Sequence, residues 1–145
     1  MEEGLDRFIK AQNQWNLYDI ALEEMHNGKK RSHWIWYIFP QLVGLGHSYN
    51  SNYYGIKDLN EAMSYMAHPI LGTRLREITN AVMEHKGEDI RSIMGSIDAM
   101  KLCSSMTLFD AVCPDDVFAS CLVTFFKGKR DRRTMSLISI NNNHK

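Results

Sequence analysis

The chain has 145 residues, 44% of them hydrophobic and 23% charged, which suits one globular domain with a core of its own. Lys plus Arg and Asp plus Glu each number 17, so the net charge is zero, which argues against a general nucleic-acid coat or a binder of anionic membranes. Met1 to Lys10 lacks the apolar run of a signal peptide, and no stretch reaches the roughly 18 apolar residues of a membrane-spanning helix.

The elements follow from spacing. Leu5, Phe8 and Ile9 share one face of a first helix over 5–11. Gln12 to Asn16 is a break. A second helix starts at Trp15 or Leu17 and runs to about His26, with Leu17, Ile20, Ala21 and Glu24 or Met25 inward, and Gly28 ends it. Ser32 is expected to cap a helix from His33 to Phe39. Pro40 stops that helix, because the residue before a proline avoids the α region. It is apolar nearly all round, so it should be buried on most sides. Ser48 to Tyr54 forms either one more turn or a loop.

Asp58 caps a helix from Leu59 to Ala67, with Ala62, Met63 and Met66 inward. Pro69 suits the first turn of the next helix, to about His85, with Leu71, Leu75, Ile78 and Val82 as its stripe. Ile90 to Met94 is a short helix stopped by Gly95. Ser96 or Ile97 opens a long helix to about Val112. Met100, Cys103 and Thr107 lie on one of its sides and Leu102, Met106, Phe109 and Cys113 on the other. Asp98, Lys101, Ser104 and Ser105 form a polar wedge between them, as in a central helix. A helix with Phe118, Cys121, Leu122 and Phe125 inward runs from Pro114 to about Lys127. A basic turn, Lys127 to Arg133, follows, then a weakly docked segment, Thr134 to Ile140. Either that segment or Phe39 to Leu45 could instead be extended. The expected fold class is all-α, a single compact multihelical domain of seven to nine helices, several of them short, over residues 1–140. Residues 141–145 form a frayed tail.

Cys103, Cys113 and Cys121 are odd in number and lack C-x-x-C spacing. That argues against a disulfide framework and a zinc site. Buried, reduced thiols in a cytoplasmic protein are expected.

Several motifs stand together. Gly28-x-Lys30-x-Ser32-His33-Trp34-x-Trp36-x-x-Phe39-Pro40-Gln41 leads into Gly44-Leu45-Gly46-x-Ser48. Further along are Arg7-Phe8-x-x-Ala11-Gln12, His68-Pro69-x-Leu71-Gly72-x-Arg74-Leu75, Lys101-Leu102-x-Ser104-Ser105-Met106-Thr107-Leu108-Phe109 and Gly128-x-x-Asp131-x-x-Thr134. Together they resemble the bacterial family catalogued as domain of unknown function 1810, some of whose members carry the name calpastatin. The resemblance covers about residues 4–138. It implies a mainly helical fold; the family has no settled activity, so no catalytic roles carry over to these residues. Met94 departs from the phenylalanine such sequences tend to have there, which looks like an exchange within the core.

The first of these motifs also reads as a pocket. Lys29, Lys30, Arg31 and Ser32 precede a helix N-terminus, where free N–H groups favour an anion. The plainer alternative is a solvated basic loop. Trp34, Trp36, Tyr37 and Phe39 could stack a flat ligand or simply fill the core. Gly44-Leu45-Gly46 permits close backbone approach but lacks the setting of a dinucleotide fingerprint. His33 is the candidate for proton transfer; His47 and His68 are similar, and no histidine pair has metal-ligand spacing. Lys101 and Ser105 are i, i+4, the spacing a Ser–Lys nucleophile would need. The plainer alternative is that the serines bond back to their own helix and Lys101 pairs with Asp98.

Three functions are compatible with these residues. The first is a small-ligand binding domain for a nucleotide or another phosphorylated metabolite, with an enzymatic role left open. Its pocket would be lined by Lys30, Ser32, His33, Trp34, Trp36, Gln41, Gly44, Gly46, Ser48, Lys101, Ser104 and Ser105, with no metal and no identifiable cofactor. It requires the wedge and Ser32-His33 to face one cavity. The second is a non-catalytic interaction module that docks an acidic partner or nucleic acid on basic segments 29–31 and 127–133. In the third, the motifs only hold the fold.

Overall fold

The computed structural model describes residues 4–143, and side chains as far as residue 140. Its elements, in chain order, are α1 (Asp6–Asn13), a 3-10 turn (Gln14–Asn16), α2 (Leu17–His26), α3 (Ile35–Ile38), α4 (Tyr49–Tyr53), α5 (Leu59–Ala67), α6 (Leu71–Met83), α7 (Ile90–Met94), α8 (Ser96–Val112), α9 (Val117–Phe126) and α10 (Arg132–Asn143). The fold is all-α. Nine of these helices have five residues or more, and α3 is a single turn of four, in line with the seven to nine expected. Among the described residues the one β-type pairing is an isolated parallel bridge, Leu42 with Ile56. So Phe39 to Leu45 is extended only locally, and Thr134 to Ile140 is helical. Of the tail expected to fray, 141–143 continue α10 and 144–145 lie outside the described residues.

Helix α8 is central and touches α3, α5, α7, α9 and α10. Gly95 creates the corner before it: its φ of 87° ends α7, and its carbonyl accepts from Ala99 N at 2.9 Å to open α8. Phe8, Tyr65, Phe109 and Phe118, all with 0% exposure, carry an aromatic chain through α1, α5, α8 and α9. Successive ring centroids lie 5.2, 5.3 and 5.9 Å apart, each contact adding about 0.5–1.5 kcal/mol to area burial. The stripe of α6 is buried as its spacing predicts. At the start of that helix Gly72 presses on the end of α5, where a Cβ would stand 2.2 Å from the Met66 carbonyl oxygen.

Inward faces differ from expectation in α2, α5 and α8. In α2, Tyr18 is buried and Ile20 is 39% exposed. Tyr18 wins because its hydroxyl donates to Glu77 at 2.6 Å and also stands 3.0 Å from the Arg74 carbonyl oxygen. In α5, Tyr65 is buried and Met63 faces out; the Tyr65 hydroxyl accepts from Gln12 Nε2 at 3.2 Å. The C-terminal segment is not weakly docked: Thr134 and Ile138 are buried. Asp131 caps α10, accepting from the Thr134 N–H and hydroxyl. Met100 and Cys103 do not line a buried side of α8, since Met100 is 70% exposed and Cys103 half-buried. Of the thiols expected to be buried, only Cys121 is fully so; Cys113 is half-buried. Burial pushes the Cys121 thiol up to about 12 and raises the other two, so all three are neutral at neutral pH.

The helix expected from His33 to Phe39 is shortened to Ile35–Ile38 because Ser32 does not cap it. Its hydroxyl donates to Glu24 Oε2 at 2.6 Å. Glu24 Oε1 accepts from Arg31 N at 2.9 Å, Ser32 N at 3.1 Å and Trp34 Nε1 at 2.8 Å. Burial alone would raise the Glu24 pKa. The donors from Ser32, Arg31 and Trp34 outweigh that and hold the carboxyl below its ordinary value. Closer to the N-terminus Arg7, 7% exposed, donates to the carbonyls of Gly4, Tyr53 and Gly55 and pairs with Glu61 at 3.3 Å.

Two outcomes follow for stability. Because the folded Glu24 pKa is depressed, its contribution is full above the ordinary value near 4.5 and is lost as pH falls through the lowered value. Glu24→Gln should cost about 2–4 kcal/mol at pH 7 and flatten the acid limb of a urea-unfolding series; an unchanged acid limb would contradict this. Gly72→Ala should cost more than about 3 kcal/mol or prevent folding, as read by the same method.

Candidate functional site

The predicted pocket residues divide into two groups. Lys30, Ser32 and Trp34 belong to the scaffold around Glu24. The Lys30 ammonium sits 2.8 Å from Asp98 Oδ2, donates to the Ser32 carbonyl at 2.6 Å and lies 4.8 Å from the centre of the Trp34 ring. Its side chain is 6% exposed. The anion these groups meet is supplied by the protein itself. His33 is exposed, and so is His47. His68 Nδ1 accepts from Ile70 N and Leu71 N, closing the start of α6. Ser48 caps α4, accepting from Ser51 N at 3.1 Å.

The second group comes together. A cleft of about 220 Å³ between α8, the end of the aromatic motif and the start of α10 is lined by Trp36, Gln41, Leu45, Gly46, Ile97, Met100, Lys101, Ser104, Asp131 and Arg133. Ser32 and His33 do not line it, so the wedge and the Ser32-His33 step do not share this cavity. Gly44 lies beside it: its carbonyl accepts from Arg133 Nη2 at 3.3 Å.

The charges in the cleft are arranged by packing. Lys101 Nζ stands 4.4 Å over the Trp36 ring and 3.7 Å from Asp98 Oδ1. One carboxylate, Asp98, thus serves both Lys30 and Lys101. Tyr37, beside Trp36, is half-buried and packs edge-on against Tyr54 at 4.7 Å, while Phe39 is wholly buried. Of the four aromatics of the motif, then, only Trp36 borders this cleft. Gln41 is 5% exposed and its side-chain nitrogen has no hydrogen-bond partner, an arrangement that costs about 1–3 kcal/mol. Ser104 bonds back to the Met100 carbonyl at 3.2 Å, as its position on a helix suggests. Ser105 is wholly buried and its hydroxyl is unpartnered, so Lys101 does not activate it.

Asp131 and Arg133 were not among the expected pocket residues. Their signal in the sequence is the Asp131-x-x-Thr134 spacing, which marks a helix start and therefore fixes where the basic turn meets α8. Among the described residues no three His, Cys, Asp or Glu side chains gather as a metal site would need. No described helix is long and apolar enough to cross a membrane.

The crystal structure of the conserved hypothetical protein Rv1873 from Mycobacterium tuberculosis is similar, with a TM-score of 0.86 and 44% identity, covering 93% of this chain and 96% of that one. No curated protein matches the chain. The model of the family described as "Protein of unknown function (DUF1810)" matches residues 2–138. With that match spanning nearly the whole chain, the protein belongs to the DUF1810 family.

Proposed function

We propose a narrower site in place of the expected pocket, whose required meeting of Ser32-His33 with the wedge does not occur: the protein binds a small anionic ligand, a nucleotide or another phosphorylated metabolite, in the cleft between Trp36 and Arg133. The observation that carries the reading is the grouping of Trp36, Gln41, Gly46, Lys101 and Ser104 on one cleft with Arg133. An aromatic ring, two cations and a buried amide lacking a partner are what an orienting site for such a ligand needs. Trp36 would take the flat part and Lys101 and Arg133 the anion. Lys30, Ser32, His33, Trp34 and Ser48 are left out of this site, and Gly44 acts through its carbonyl on Arg133. The reading is one of binding, with an enzymatic role left open.

The interaction-module alternative keeps one point of support. Lys127, Lys129 and Arg132 in the basic turn, and Lys29 and Arg31, are exposed. Docking an acidic partner there would weaken steeply with salt.

A thermal-shift panel of nucleotides, ADP-ribose, sugar phosphates and inorganic anions separates the two. A ligand at about 100 times its Kd stabilises by about 2.7 kcal/mol, which for a domain of this size raises Tm by about 5–15 °C. The shift should disappear in Lys101→Met and Arg133→Ser. A shift that survives both substitutions, or a panel with no response, would count against the cleft. Gln41→Met removes the unpartnered amide and should raise stability of the free protein by about 1–3 kcal/mol while abolishing the ligand-induced shift; a destabilised variant would refute the assignment.

A further inference from the structure

A larger groove, about 730 Å³, adjoins the cleft and shares Met100, Asp131 and Arg133 with it. It runs between the α7–α8 corner and the end of α9. Its inner surface is apolar. Ile90 and Ala99 are buried there, Phe125, Phe126 and Cys103 are half-buried, and Met100 stands 70% exposed at the edge. The Cys103 thiol donates to the Lys129 carbonyl at 3.6 Å and stays protonated, so it adds no negative charge.

The rim is unequal in charge. On one side Asp89 pairs with Arg91 at 2.9 Å, and Glu88, 3.4 Å from the His85 ring, is exposed to solvent. On the other side Arg130 is held by Asp110, and Asp131 is occupied capping α10. Lys127, Lys129 and Arg132 remain, exposed and without an ion-pair partner among the described residues. An apolar trough with three uncommitted cations along one edge is complementary to a molecule with an apolar body and a single anionic end.

We infer that this groove is a second binding site, for an amphiphilic organic anion whose ring system or short acyl chain lies on Met100, Phe125 and Phe126. Its carboxylate or sulfonate would meet Lys127, Lys129 and Arg132. The volume is within the range of small-molecule sites. The site is independent of the cleft reading, because the residues that hold the anion do not line the cleft.

The test is a fluorescence titration of the whole protein with 8-anilinonaphthalene-1-sulfonate, an aromatic amphiphilic anion. Saturable binding at one site per chain is expected, displaced by decanoate, about ten-fold more weakly by decanol, and not by inorganic phosphate. Met100→Glu should abolish it. Joint replacement of Lys127→Asn, Lys129→Ser and Arg132→Ser should weaken it about ten-fold, roughly what three exposed cations provide together. Gln41→Met, confined to the cleft, should leave it unchanged, so failure of the cleft and failure of the groove are told apart. No saturable binding, equal displacement by decanol, displacement by phosphate, or unaltered affinity in both groove variants would overturn the assignment. The displacement arms use the unaltered protein and decide the matter even if a variant does not fold.

Discussion

A buried carboxylate organises the first third of the chain. Glu24 reaches from α2 into the loop before α3 and takes four hydrogen bonds there, two from backbone N–H groups and two from side chains. Hydrogen bonds to an ionised acceptor are the strong kind, each worth about 1.5–3 kcal/mol. They fix the loop that brings Trp34 into the core and points Trp36 toward α8. The basic loop and free N–H groups look from the sequence like a place for a ligand's anion. The fold puts its own anion there, and the nearby lysine turns to Asp98 instead.

That exchange explains much of what the sequence did and did not disclose. The stripe of α6 and the bounds of α5, α7 and α8 were readable because spacing and caps agree locally. Asp58 accepts from Glu61 N, and Gly95 breaks the chain where its φ requires a glycine. The inward faces of α2 and α5 were misread where a tyrosine displaced an aliphatic residue. A rule based on hydrophobicity ranks Ile20 above Tyr18, and the partners that make Tyr18 the better choice are contributed by α6, more than fifty residues away.

The candidate site shows the same division. Trp36, Gln41, Gly46, Lys101 and Ser104 stood out by residue type and do share a cleft. Ser32 and Trp34 stood out equally and are bound to Glu24. Nothing in their own neighbourhood distinguishes the two sets, because the deciding residue is a glutamate on the preceding helix, where glutamates normally face water. Asp131 and Arg133 complete the cleft only because α10 packs back on α8. The family motifs divide in this way too: Arg7, Gln12, His68 and Gly72 hold helices together, and a smaller subset borders open space.

The two buried ion clusters differ in how far along the chain they reach. The partners of Glu24 lie 7 to 10 residues away, so that loop closes at little entropic cost as soon as α2 exists. Arg7 has to wait for Tyr53, Gly55 and Glu61, 46 to 54 residues further on. During synthesis from the N-terminus, α1 is made first, yet its bonds to the Tyr53 and Gly55 carbonyls and to Glu61 form only once α5 has emerged. The first helix to be translated is therefore among the later ones to be locked in place.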